Sequence, residues 1–384
     1  MSALPDKKTA QLNELLEKLI SRRLIKQAII ALENTDRSVR WIGTAGTTDQ
    51  DNRPVGADTP FFIASIDKLY NASIVMILNE NEQLDLDESI LKYLPEKITQ
   101  RLHTVNGVDL TEQITLRHLL SHTSGLADWL EDYPKGGQSL INRLLEKNDM
   151  AFTMEDLAAV VRDQLKPHFP PQDLSSKRPM ARYSDTNFML IIAIIESVTG
   201  KPLHEIYEEL LLKPLGLRHT YFPGLSEPMD PTPAAMILRA NGRPMQIPRL
   251  MRSIRGIYST VGDSIEFLRR FICNDIFRSP DTLGKMLKNW NRFGIPLDRA
   301  ALRAPGWPIE YGLGIMRFRL PRLITPFQAM PPVIGHTGST GCWLFWCPDL
   351  DMFLTGSVDE AAAGAVPYRI VPKILKILGS SNQE

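Results

Sequence analysis

The sequence predicts an α/β fold of the α+β kind, an antiparallel sheet flanked by N- and C-terminal helices with a mostly helical lobe inserted between. Three observations carry this. Strand-like runs lie near both ends of the chain, at 27–44 and 342–358. Between residues 81 and 214 nearly every strong pattern has helical period. Apolar stripes of helical spacing also close both termini.

Taken in order, Leu12, Leu15, Leu16, Leu19 and Ile20 place one apolar stripe on a 3.6-residue period. Two short strand-like runs follow, 27–33 and 38–44. Asn34-Thr35-Asp36-Arg37 joins them with the side chains of a hairpin loop. Residues 65–80 turn helical through Leu69, Ala72, Val75, Met76 and Leu78. Helices are expected over 116–121, 140–147, 154–165, 187–198 and 203–212, punctuated by Pro167, Pro170 and Pro171. After Gly216 strands return. The run 342–347, the turn Pro348-Asp349-Leu350-Asp351 and the run 352–358 read as a hairpin. A helix over 366–378 ends the chain. A length of 384 residues suits two lobes. The expected division is 1–80 plus 215–384 as an α/β lobe and 81–214 as a helical lobe.

Forty-four Lys plus Arg balance 44 Asp plus Glu, which removes the electrostatic basis of a nucleic-acid binder. Arg249, Arg252 and Arg255 make only a short basic run and read as a solvated face. Cys273, Cys342 and Cys347 cannot all pair, and small buried hydrophobes are the simpler expectation. The first 24 residues lack a signal peptide's apolar core, and the longest apolar run, 188–195, is too short for a membrane span. A cytoplasmic protein without a membrane span is expected.

Several chemistries lack their motifs. The sequence holds no G-x-x-x-x-G-K-[ST], no G-x-G-x-x-G and no G-x-S-x-G. His118 and His122 are spaced to share a helix face, but no third ligand is near, so packing is expected rather than a metal.

Ser65-Ile66-Asp67-Lys68 stands where Phe61-Phe62-Ile63-Ala64 runs into a helix. On a first helical turn, side chains at i and i+3 share a face. A serine hydroxyl needs a base to become nucleophilic, and lysine serves only with a lowered pKa. Free N–H groups at the helix start favour developing negative charge. Ser89-Ile90-Leu91-Lys92 has the same spacing, but it lies in a charged connection and carries no expectation of chemistry. Downstream, Tyr183-Ser184-Asp185 opens another helix, and Gly335-His336-Thr337-Gly338-Ser339 leads into the C-terminal hairpin.

With these motifs the chain resembles the serine β-lactamase and penicillin-binding-protein superfamily, in the branch of class C β-lactamases, D,D-peptidases and related esterases. Its motifs are S-x-x-K, Y-x-N and [KH]-[ST]-G. The stretches ITLRHLLSHTSGL (114–126), YSDTNFMLIIAIIESVTGKPLHEIYEELLLKPLGLRHT (183–220) and YGLGI (311–315) are also similar to the family's. The resemblance implies a β-lactamase/transpeptidase-like fold with its active site between the lobes. It implies Ser65 as acylated nucleophile, Lys68 as proton-shuttling neighbour, and Tyr183 as base in acylation and acid toward the leaving group. The backbone N–H groups of Ser65 and Ser339 would form an oxyanion hole, and His336, Thr337 and Gly338 would line the substrate.

Two positions depart from the pattern. Asp185 replaces the usual asparagine, and an ionised carboxylate cannot donate to a substrate carbonyl. It is placed to pair with Lys68 or to attract an amine. His336 replaces a lysine, and its charge is expected to change near neutral pH. Both favour an esterase or small-amide hydrolase, with a small-molecule substrate and no metal or cofactor. A β-lactamase or D,D-carboxypeptidase and a non-catalytic binding or scaffolding member of the fold remain the alternatives. Oligomeric state is not legible.

Overall fold

The computed structural model describes residues 4–21, 24–48, 53–146, 149–295, 297–322 and 329–380. Its centre is an eight-stranded antiparallel sheet. The strands are β1 (Ala28–Glu33), β2 (Arg40–Ala45), β3 (Asn291–Arg292), β4 (Glu310–Tyr311), β5 (Met316–Phe318), β6 (Val333–Thr337), β7 (Trp343–Cys347) and β8 (Met352–Val358). Their order is β2-β1-β8-β7-β6-β5-β4-β3, so the two ends of the chain meet inside the sheet. Ala28 pairs with Val358 and Glu33 with Phe353.

Strand residues alternate between two faces, and here each face has its own core. Ala28, Ile30 and Leu32 pack with Leu12, Leu16 and Leu19 of helix α1 (Asp6–Ile20). Ile370 and Ile374 of the last helix (Val366–Gly379) complete that layer. Ile29 and Ala31 point the other way, into the larger core that contains α2 (Asp67–Glu80). Covered on both faces, β8 is buried at all seven positions, the polar Thr355 and Ser357 included.

The middle of the chain is helical as expected. It includes α3 (Leu116–Leu120), α4 (Leu140–Leu145), α5 (Met154–Gln164) and α6 (Asp185–Thr199). Residue 147, the expected end of α4, lies outside the described residues. Two details differ from expectation. The run 203–212 is not one regular helix: Leu203–Tyr207 is α-helical and Glu208–Leu212 widens into a π turn just before Pro214, which has no N–H to donate. A small hairpin pairs Thr104–Val105 with Val108–Asp109 inside the helical stretch. Cys342 and Cys347 are buried as expected, whereas Cys273 follows a helix end and is exposed. Among the described residues no helix is long and apolar enough to cross a membrane.

Candidate active site

Ser65 sits on a strained entry to α2. Strand Phe61–Phe62 pairs with Tyr258–Ser259, and a 3₁₀ turn, Ala64–Ile66, then leads into the helix. Ala64 holds a left-handed φ of 44°, which is costly for a residue with a Cβ. The end of β6 presses on this turn. A Cβ on Gly338 would lie 2.8 Å from the Cβ of Ala64 and 2.3 Å from Sγ of Cys342. Glycine is therefore the residue that lets the sheet edge approach Ser65. Among the described residues, the N–H groups of Ser65 and Ser339 have no backbone acceptor.

Three side chains converge on Ser65. Lys68 Nζ donates to Ser65 Oγ at 3.0 Å and lies 2.7 Å from Oδ1 of Asp185 at the start of α6. The Tyr183 ring lies beside the same ammonium, its centroid 5.4 Å from Lys68 Nζ. Since the ammonium can only donate, the Ser65 hydroxyl proton is left for another acceptor. Burial works against the charge on Lys68, but Asp185 and Asp67 outweigh it and the lysine pKa is raised. Burial, with Asp185 next, pushes Tyr183 well above the usual tyrosine value. A lowered lysine is thus not what the fold supplies. The resting site holds a cationic Lys68 and a neutral phenol. Burial also raises the carboxyl of Asp67 to about 6, against the pull of Lys68.

His336 corrects an expectation. It is fully buried, and burial together with the Lys68 charge lowers its pKa to about 3. Its charge does not change near neutral pH. Both ring nitrogens are used: Nδ1–H donates to the Thr337 carbonyl at 2.7 Å, and Nε2 accepts from the Tyr311 hydroxyl at 2.9 Å. The Thr337 hydroxyl is also engaged, 2.8 Å from the hydroxyl of Tyr368. The backbone of Gly338 is engaged as well, its N–H by the Cys342 carbonyl at 2.8 Å and its carbonyl by the Gly341 N–H at 3.1 Å.

His118 and His122 part company despite their spacing. His118 caps α3 with Thr115 and meets the Gln172 carbonyl at 2.8 Å through Nε2. His122 instead grips the segment that carries Tyr183. Its carbonyl accepts the Arg182 N–H at 3.0 Å, and its Nδ1 accepts the Ser184 N–H at 3.2 Å. Its ring packs 4.5 Å from those of Tyr183 and Tyr311. The residues before and after Tyr183 are both held by one histidine. Among the described residues no group of three or more His, Cys, Asp or Glu is arranged to hold a metal ion. His122 and Tyr311 lie in the landmark stretches 114–126 and 311–315, but nothing in those stretches announces their roles.

Two cavities flank the cluster. One, of about 120 Å³, is lined by Ser65, Lys68, Asp185 and Ser339 at one end and by apolar side chains elsewhere. The other, of about 1120 Å³, is polar and includes Tyr183, Asp128, Glu131 and Asp132. Burial and Asp185 raise Glu131 to about 7 and put Asp128 well above the ordinary carboxyl value.

A model of the beta-lactamase family matches residues 14–359. The chain belongs to the beta-lactamase family. Within this beta-lactamase family it is 23% identical over 316 residues to the D-alanyl-D-alanine-carboxypeptidase/endopeptidase AmpH of Escherichia coli, covering 82% of this chain and 73% of that protein. Esterase EstB of Burkholderia gladioli is 25% identical over 321 residues, 76% of each chain. A D-stereospecific amidohydrolase from Streptomyces sp. superposes with a TM-score of 0.71 at 25% identity, over 98% of this chain and 100% of that one. A D-amino acid amidase from Ochrobactrum anthropi SV3 gives a TM-score of 0.72 at 19% identity, over 97% of this chain and 98% of that one, a likeness of fold. The relatives named at 23–25% identity are thus a carboxypeptidase/endopeptidase, an esterase and an amidohydrolase.

Proposed function

We propose that the chain is a serine hydrolase that forms an acyl-enzyme on Ser65, with esters or small amides as substrates. In this reading residues 1–80 and 215–384 make one lobe, 81–214 the other, and the site lies between them. The observation that carries it is the arrangement at Ser65 Oγ, which accepts from the Lys68 ammonium at 3.0 Å while the Tyr183 ring centroid lies 5.4 Å from the same ammonium. Because Tyr183 is neutral, it acts as a relay. Ser65 Oγ attacks the carbonyl carbon and its proton passes to the Tyr183 oxygen. In the same step the phenol's own proton passes to the leaving oxygen or nitrogen, so Tyr183 stays neutral throughout, and the bond to the leaving group then breaks. No free phenolate is required. Lys68, held charged by Asp185, stabilises the developing negative charge on Oγ. The N–H groups of Ser65 and Ser339 receive the carbonyl oxygen. Water then repeats the sequence in reverse to release the acid.

The buried, uncharged His336 leaves a substrate carboxylate without a cationic anchor there. Small neutral esters should therefore exceed a chromogenic cephalosporin by at least about 10²-fold in kcat/KM. Labelling with a fluorophosphonate, followed by peptide mass analysis, tests the nucleophile. An adduct on another serine, or none, overturns the reading.

One observation favours a second reading, a substrate bearing an amine. Among the described residues, Asp128 Oδ2 and Glu131 Oε2 are buried without a hydrogen-bond partner, and both residues line the polar cavity next to Tyr183. Ammonia release from a panel of D- and L-amino-acid amides tests it.

A further inference from the structure

The two cavities differ in what surrounds them, and the difference gives a substrate two directions. Ser65, Lys68 and Ser339 line the small cavity, and Tyr183 does not. Tyr183 lines the large one, where Ser65 and Ser339 are absent. In the relay above, Tyr183 hands its proton to the leaving group, so the leaving group has to lie on the Tyr183 side of the reacting carbonyl. The substituent on the carbonyl carbon then points the other way, past Ser65.

What lies there is apolar. Beyond the polar end, the wall is formed by Trp129, Leu144, Leu145, Phe188, Met245 and Leu250. Three separate elements contribute: α4, α6 and the segment entering the helix Pro248–Ile254. Of the ionisable groups that line it, Lys68 and Asp185 are committed to each other at 2.7 Å, and Asp67 is a buried carboxyl raised to about 6 by its burial. Nothing along the apolar wall would compensate a buried charge, and an unpaired one is expensive to bury.

We propose that this cavity is the acyl pocket, and that it selects an uncharged, unbranched or aromatic acyl group of about four to six carbons. The size follows from the volume. A space of about 120 Å³ is slightly below the roughly 150 Å³ cavity known to hold benzene, a six-carbon ring. The proposal rests on the serine-hydrolase reading and deepens it.

The test uses the full chain with fluorophosphonates that share one alkoxy group and carry P-alkyl chains of two to ten carbons. Ser65 Oγ bonds to phosphorus and fluoride leaves, so the labelling rate reports how the alkyl chain fits. Parallel kcat/KM values are measured for p-nitrophenyl esters of matching acyl length. Each added methylene should raise the rate up to about fourfold until the pocket is full, equivalent to about 0.8 kcal/mol per buried methylene. The rate should then fall. Met245 is half-buried, so changing it puts the fold at little risk. Met245→Trp should move the optimum to shorter chains and Met245→Ala to longer ones. Ser65 labelled with a flat length profile that neither variant alters would overturn the pocket and leave the hydrolase standing. A profile that instead follows alcohol length, measured with acetates of ethanol to octanol, would also overturn it. Failure to label Ser65 at all would remove the hydrolase reading and the pocket together.

Discussion

The chain carries the S-x-x-K spacing twice, and the two copies have opposite fates. Ser65 stands on a 3₁₀ turn behind a strained Ala64, with Lys68 buried against it and against Asp185. Ser89 accepts the Leu91 N–H at 3.3 Å and caps a short turn, while Lys92 lies in solvent, paired with Glu88 at 3.5 Å. The second serine is used up by its own backbone, and its lysine keeps an ordinary surface partner. Four residues set a reach of one helical turn and nothing more. Chemistry needs the desolvation and partners that residues more than a hundred positions away bring to the first copy.

The sharpest way to break this comparison is to remove each serine. Ser65→Ala should lower kcat by at least about 10⁴-fold, read by steady-state ester hydrolysis and loss of fluorophosphonate labelling. Lys68→Ala and Tyr183→Phe should each cost at least about 10²-fold in kcat. The double variant should lose far less than the product of the two, because the groups act as one unit. A fully multiplicative loss would separate them.

The first copy is also distinguished by the buried acids near it, and these should show in stability. Glu131 has a folded pKa raised from its ordinary 4.5 to about 7. Its protonated form fits the fold better, so its stabilising contribution is complete below 4.5 and is lost as pH rises through 7. Glu131→Gln should therefore match wild type at about pH 4 and exceed it at about pH 8 by up to roughly 3 kcal/mol. Melting curves across that range check the sign. Equal stability at both ends would mean the carboxyl finds solvent.

His122 sharpens the comparison by showing what holds Tyr183 in place. His122→Phe keeps the ring but loses the acceptor for the Ser184 N–H. The expected result is a fall in kcat of about tenfold with KM within twofold. His122→Asn retains an acceptor and suits the left-handed backbone at this position, φ 56°, so it should recover part of the loss. A change in KM alone would assign His122 to binding. The smallest effect belongs to the second copy. Ser89→Ala should leave kcat unchanged and lower stability by no more than about 1 kcal/mol, the ordinary worth of a cap.

Much of this was legible beforehand. The stripe of Leu12, Leu16 and Leu19, the hairpin around Pro348 and the helical middle follow from periodicity, because side-chain direction repeats locally. The motif residues Ser65, Lys68 and Tyr183 were legible too, since short spacings and family likeness are properties of the chain itself. Charge states were not. His336 looked like a neutral-pH switch and is a buried neutral ring; Lys68 looked in need of a lowered pKa and has a raised one. Tyr311, which holds His336, is 25 residues from it in sequence. His122 and Ser184 are 62 apart. The sequence by itself determined the elements, the order of the motifs and the family. Only the tertiary structure decided protonation, the grip on Tyr183 and the division into a polar and an apolar cavity. Those depend on desolvation and on charges a few ångströms away, and both are set by which distant segments the fold brings into contact.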